Sequence, residues 1–307
     1  MQFLDQSAVA AALPYPALIE ALARGLQTPI ESPLRSHFEP NHDDSTVLIM
    51  PAWKPHEAMG VKLVSFWPDN GSRNLSTIAA VYVLFSCEDG RPIAVLDGTE
   101  LTQRRTAAVA ALGARVLARK DSRTLAILGT GSLCVPMVLA HRSVMDFERI
   151  EIWGRNPAKA QAAVLTLAER GVTAHACTDL QQTVQQADVL CACSSAVEPF
   201  IRSEWVRPGT HVGLVGAFTP AMAEAEPALM ARSQVFADSR EAILQKGGEV
   251  LQAIQQGLIT HGDIQAEVAE LAADPQRAWR ASAESITVFK SVGFAALDLI
   301  AARQVVG

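Results

Sequence analysis

Gly129 and Gly131 stand where an apolar stretch, residues 124–128, gives way to one of helical composition, residues 133–142. The apolar run after Thr124 suits a buried strand, and a strand that turns through glycines into a helix leaves backbone N–H groups free at the helix start. Those groups, with the positive end of the helix dipole, suit a pyrophosphate. Gly129 permits the tight turn, and Gly131 lets a phosphate approach the backbone. The third glycine of this dinucleotide fingerprint would fall at Cys134, whose small side chain still allows close helix–strand packing. Taken alone, the two glycines also suit an ordinary strand–helix turn.

The next strand, residues 149–153, extends that reading. Where an NAD site carries Asp or Glu for the ribose hydroxyls, this chain has Gly154, Arg155 and Asn156. Glu151 is acidic but lies inside the strand, too early to reach a ribose. A guanidinium matches phosphate oxygens in a two-pronged way, so Arg155 favours NADP(H), with NAD(H) as the other option. The alternative for Arg155 is a surface charge near the start of a helix over 157–170. Ser194 and Ser195 end a further strand, and residues 216–220 form the loop after another. Ligands of open α/β sheets lie outside the carboxyl ends of strands, so both places suit a dinucleotide, or plain turns.

Nicotinamide chemistry also needs a held substrate and a group that manages a proton. Lys62 interrupts an apolar strand predicted over 59–67, so it either points to water or is placed for a ligand. Arg35 lies on a short strand. Arg104 and Arg105 open a helix predicted over 102–119, at the end where the dipole disfavours cations, which hints at an anionic ligand.

Several elements must position these groups. A helix is predicted over 15–26, followed by strands over 45–51, 59–67, 78–86 and 92–97, with a hairpin turn at 88–91. The first hundred residues therefore read as a mostly antiparallel sheet. Beyond residue 124, strands (124–128, 150–153, 173–176, 189–193, 211–215, 235–237) alternate with helices (133–142, 157–170, a short one ending at 187, and one after 237). This is the pattern of a parallel sheet. Thr178 or Asp179 would cap the short helix, and Asp238 or Ser239 the one after 237. Helices over 249–256 and 264–272, a strand over 285–289 and a helix over 292–303 complete the chain.

The 307 residues suggest two domains. A net charge of −6 gives no electrostatic case for nucleic acid, and no apolar run approaches a membrane span. The amino terminus lacks the basic and apolar regions of a secretory signal. Five cysteines, an odd count without paired spacing, point to reduced thiols and a cytoplasmic location. Cys191 and Cys193 alternate along a strand and read as core filling. The seven histidines lack ligand spacing, so no metal site is expected.

In order along the chain, the motifs resemble one family. They are Leu34-Arg35, the Gly60–Lys62–Ser65 run, Asp97 to Thr102 with Arg105 to Ala108, Gly129 to Gly131, Gly154 to Asn156, and Val215-Gly216. The chain resembles the ornithine cyclodeaminase/μ-crystallin family over nearly its entire length, most specifically in the Asp97–Ala108 block. The resemblance implies an α/β fold: a Rossmann-type parallel-sheet domain inserted into a mostly antiparallel α+β domain for substrate binding and dimerisation. Residues 121–285 would form the NADP-binding domain, and residues 1–120 with 286–307 the other, in a homodimer. Arg35, Lys62 and Arg105 would hold a substrate carboxylate, with Lys62 and Arg105 catalytic. Cofactor contacts would come from Thr77, Gly129, Thr130, Gly131, Ser132 and Leu133. Others would be Arg155, Asn156, Ser194, Ser195, Val215, Gly216, Ala217 and Ser291.

One departure narrows the expected activity. The cyclodeaminases carry an Asp two residues after the loop glycine, where this chain has Phe218. The stretch 216–220, with residues 290–293, looks instead like the branch that reduces the cyclic ketimines Δ1-pyrroline-2-carboxylate and Δ1-piperideine-2-carboxylate with NAD(P)H. Three cations beside an iminium call for acidic groups nearby, such as Asp97 or Glu100. The alternatives are ornithine cyclodeamination with bound NAD, an amino-acid dehydrogenase, and a non-catalytic small-molecule binder.

Overall fold

Two sheets of opposite character organise the chain, in a computed structural model that describes residues 1–41, 45–73 and 75–307. In chain order the strands are β1 (Gln2–Leu4), β2 (Ser36–Phe38), β3 (Thr46–Lys54), β4 (Ala58–Phe66), β5 (Ile78–Ser86), β6 (Pro92–Asp97), β7 (Thr124–Leu128), β8 (Arg149–Trp153), β9 (His175–Cys177), β10 (Val189–Ala192), β11 (His211–Leu214), β12 (Ser233–Ala237), β13 (Ile264–Glu267) and β14 (Ile286–Lys290). The helices are α1 (Gln6–Ala12), α2 (Tyr15–Gly25), α3 (Gly98–Leu117), α4 (Cys134–Arg142), α5 (Pro157–Ala168), α6 (Leu180–Gln186), α7 (Ala228–Ala231), α8 (Arg240–Lys246), α9 (Gly248–Gln255), α10 (Val268–Ala273) and α11 (Ala295–Val306). Among the described residues no helix is long and apolar enough to cross a membrane.

The chain divides into two compact units: Met1–Thr106 with Phe294–Gly307, and Ala107–Gly293. The first unit carries a six-stranded sheet in the order β1-β6-β5-β4-β3-β2, antiparallel except where β1 meets β6. Strand alternation turns Met50, Ala52, Ala58, Lys62, Tyr82 and Leu84 to one buried face beneath α11, against which α2 packs. β5 and β6 have the predicted bounds, and Gly90, at φ 74°, makes the turn between them. α3 begins at Gly98, four residues earlier than predicted, because Asp97 accepts a hydrogen bond from the Glu100 amide at 2.7 Å. Arg104 and Arg105 therefore lie in the second turn, and the dipole argument for an anion at a helix start does not apply to them.

The second unit carries an eight-stranded sheet, β13-β12-β14-β11-β10-β7-β8-β9, parallel throughout. The run β9-β8-β7-β10-β11 is the Rossmann order, with the reversal of winding between β7 and β10. β14 was expected to go with the substrate domain. It pairs instead between β11 and β12, and all five of its residues are buried, as a strand flanked on both sides requires. The compact units thus meet after residues 106 and 293. Residues 264–272 are not one helix: Ile264 to Glu267 form an edge strand on β12, and the Glu267–Glu270 capping box starts α10 there. The last helix starts at Ala295, three residues later than predicted, because Asp238 ties the Val292 and Gly293 amides into a turn.

Candidate active site

In the first unit, three elements bring a buried charge cluster together. β4 supplies Lys62, α3 Arg105 and α11 Asp298. Lys62 Nζ lies 2.7 Å from Asp298 Oδ2, and Arg105 Nε donates to Asp298 Oδ1 at 2.8 Å. Lys62 is 1% exposed, Arg105 5% and Asp298 0%. The water-facing alternative for Lys62 is thereby removed. Burial pulls the Lys62 ammonium down to about 7; Asp298 opposes the fall, while the charges of Arg105 and Arg35 add to it. Burial raises the Asp298 carboxyl, but Arg105 and Lys62 outweigh it and hold the group below its ordinary value. Arg35 sits one residue before β2, half-buried, rather than within a strand.

Tyr82, directly across from Lys62 on β5, is fully buried, and its hydroxyl has no hydrogen-bond partner among the described residues. Gly60 makes room for it: a Cβ there would collide with the hydroxyl. Chemically, the cluster offers a fixed guanidinium for a carboxylate and a lysine able to give up a proton near neutral pH.

Asp298 was missed by sequence reasoning, which named Asp97 and Glu100. Asp97 caps α3, and Glu100 pairs with Arg104 at 2.6 Å. The available signal was a lone carboxylate in the apolar run 295–302 of the last helix, every residue of which is buried.

In the second unit, the predicted cofactor residues other than Ser291, which follows β14, gather at the carboxyl ends of β7, β8, β10 and β11. Gly129 has φ 134°, and a Cβ on it would lie 2.9 Å from the Cys193 carbonyl oxygen. A Cβ on Gly131 would meet nothing within 4 Å, so that face of the turn is open to a phosphate. No side chain caps α4, which leaves its first turn to a ligand. Thr130 packs against Gly154, Ser132 is exposed and Leu133 half-buried. Arg155 is exposed at the end of β8. The site's backbone thus fits a dinucleotide.

Other members of the predicted set are already engaged. The Asn156 side chain accepts from the Ala158 and Lys159 amides, capping α5. Ser194 donates its amide and hydroxyl to Glu224, and Ser291 its hydroxyl to Asp238. Ser195 is exposed, whereas Val215, Gly216 and Ala217 are buried. Thr77 lies in the first unit, half-buried, with its carbonyl accepting from the Trp67 amide.

The parallel sheet with its glycine turn defines a Rossmann-type dinucleotide-binding unit. Residues 6–307 match the ornithine cyclodeaminase/mu-crystallin family, and the chain belongs to that family. It is 36% identical over 305 residues to the Δ1-pyrroline-2-carboxylate reductase of Paracoccus denitrificans, covering 99% of this chain and 96% of that protein. The structure of Thermococcus litoralis Δ1-pyrroline-2-carboxylate reductase, in complex with NADH and L-proline, matches with a TM-score of 0.94 at 28% identity, covering 100% of this chain and 96% of that one. An archaeal alanine dehydrogenase dimer with bound NAD matches with a TM-score of 0.92 at 27% identity, covering 100% and 95%.

Proposed function

We propose that this protein reduces cyclic ketimines with a nicotinamide cofactor, converting Δ1-pyrroline-2-carboxylate to L-proline and the six-membered Δ1-piperideine-2-carboxylate to L-pipecolate. The observation that carries the reading is the buried Lys62–Asp298–Arg105 cluster. Bound reduced nicotinamide supplies the hydride that adds to C2 of the ring. Arg105 and Arg35 hold the ring carboxylate, and Lys62 delivers a proton to the ring nitrogen. Hydride on carbon and proton on nitrogen complete the reduction of C=N to CH–NH. Asp298 offsets part of the positive charge, so the site admits a carboxylate without repelling an iminium as three bare cations would.

Gly129, Thr130, Gly131, Ser132 and Leu133 hold the pyrophosphate, and the guanidinium of Arg155 favours NADP(H). The first unit takes the substrate. Its second sheet face, with Ile49, Val61, Leu63, Val81, Val83 and Val95, pairs two copies in a homodimer; Leu63 is 39% exposed there. Support comes from the reductase relatives and the alanine dehydrogenase dimer. Purified protein given either cyclic imine should oxidise NADPH or NADH, followed at 340 nm; no turnover with either ring size rejects the reading.

The likeness to alanine dehydrogenase favours one second reading, reductive amination of an open-chain keto acid, which would make the rate depend on ammonium. Ornithine cyclodeamination is opposed by Phe218, which stands where the cyclodeaminases carry a carboxylate.

A further inference from the structure

Beneath the carboxyl ends of three adjacent strands lies a second set of buried charges, which the proposed reaction leaves unused. Glu224 Oε1 accepts from the Ser194 amide at 2.6 Å and the Ser194 hydroxyl at 2.9 Å, just past β10. Its Oε2 accepts from the Gly216 amide at 2.7 Å, just past β11. The Glu224 amide donates to Glu249 Oε1 at 2.8 Å, in the first turn of α9. Glu249 Oε2 pairs with Lys290 Nζ at 2.7 Å, and that ammonium, at the end of β14, also donates to the Ala217 carbonyl at 2.7 Å.

Glu224, Glu249 and Lys290 are each 0% exposed. Ions are costly to bury even when paired, so apolar packing would serve stability as well or better. One carboxylate instead bridges two loops, and the fit is close: a Cβ on Gly216 would strike the Ser194 backbone and the Glu224 carboxylate.

We propose that Glu224 is a positioning residue for the dinucleotide, fixing the separation of the loops at 194–195 and 215–217. The inference rests on the reading of those loops as cofactor-binding. Three donors converge on the two carboxylate oxygens, so an amide in its place would turn an N–H toward another N–H. Protonation has a similar effect. Burial pushes the Glu224 carboxyl up to about 7, against Lys290 and with Glu249. The other titratable groups bearing on it are Cys191 and Cys193, whose thiols burial pushes upward. The bridge is therefore intact above about 7 and weakens as pH falls.

The test uses the full-length protein and NADH, whose phosphodiester groups do not titrate near neutrality. Glu224→Gln should raise the NADH Kd about tenfold, the weight of one buried charged hydrogen bond, while KM for the cyclic imine at saturating NADH stays within about twofold. Unchanged NADH affinity in a folded variant overturns the inference. If the variant does not fold, a pH series on the unaltered protein decides: NADH affinity should fall from pH 8 toward pH 6, and a flat profile overturns the inference. Unaltered protein that reduces the imine while Glu224→Gln binds NADH normally sinks this inference alone. Protein that binds no dinucleotide sinks the functional reading with it.

Discussion

Each unit buries a lysine against a carboxylate, yet the two clusters are built to opposite ends. Around Lys62, among the described residues, two cations share one carboxylate: Lys62 and Arg105 both pair with Asp298, and the charge of Arg35 acts on Lys62 as well. The ammonium is drawn to about 7, and the neighbouring Tyr82 hydroxyl is without a partner among the described residues. Around Lys290 the carboxylates are in surplus, and backbone groups saturate them: the Ser194, Gly216 and Glu224 amides donate, and the Ala217 carbonyl accepts. A buried cluster saturated by its own backbone holds loops in place. One with surplus charge and an unspent donor is suited to a ligand of the opposite sign.

The strongest way to break the comparison is at Asp298. Asp298→Ala leaves Lys62 and Arg105 buried without a counter-charge, and should cost about 3–5 kcal/mol of stability, read by urea or thermal unfolding. A loss below ~1 kcal/mol would show the cluster to be far better hydrated than its burial implies.

Lys62→Met comes next. Asp298 keeps Arg105, so the fold should survive, while kcat/KM for the cyclic imine should fall by about 10²–10⁴, the usual weight of a proton donor. The pH profile sharpens the point. If protonated Lys62 is the donor, as proposed, kcat/KM should decline as pH rises through about 7, and this limb should vanish in the variant. The stability sign is opposite. Between about 7 and the ordinary lysine value of 10.5 the unfolded chain binds the proton and the folded chain does not, so stability should rise with pH across that window. A declining limb that persists in Lys62→Met would assign the proton to another group.

Gly60→Ala tests the Tyr82 side of the cluster. The added methyl meets the Tyr82 hydroxyl, so the variant should lose about 1–3 kcal/mol, as overpacked cores do. Tyr82→Phe in the same chain should return part of that loss, because it removes the nearest of the three Tyr82 atoms in collision and leaves two ring carbons. A double variant no more stable than the single one would place the strain elsewhere.

Much of the fold was legible because local and tertiary signals agree. Residues 78–86 and 92–97 combine β-branched and aromatic composition with a Glu88–Arg91 turn, and they are β5 and β6 to the residue. Residues 264–267 defeated the same reasoning. Ile264, Gln265, Ala266 and Glu267 are tolerable in a helix, and only pairing with β12 makes them a strand. Of the site, Lys62 and Arg105 were readable as cations in apolar surroundings, but Asp298 was not paired with them. It lies 193 residues from Arg105 in sequence, and no spacing rule joins positions that only the fold brings together. Ser194 was named for a cofactor on its hydroxyl at a strand end, and Ser291 on the family resemblance. Their hydroxyls go to Glu224 and Asp238, a use that depends on carboxylates from distant loops.

The smallest expected effect lies at Arg155, and it divides the two cofactors. An exposed guanidinium meeting a 2′-phosphate is partly screened by water, so its worth is nearer one hydrogen-bonded charge pair than a buried bridge. Arg155→Ala should raise KM for NADPH by about tenfold, leaving KM for NADH within about twofold. Added salt should erode the NADPH advantage of the unaltered protein, since exposed pairs weaken with ionic strength. Equal KM values for the two cofactors, before and after the substitution, would mean that Arg155 is a surface charge and that cofactor choice is set elsewhere on the β8 end.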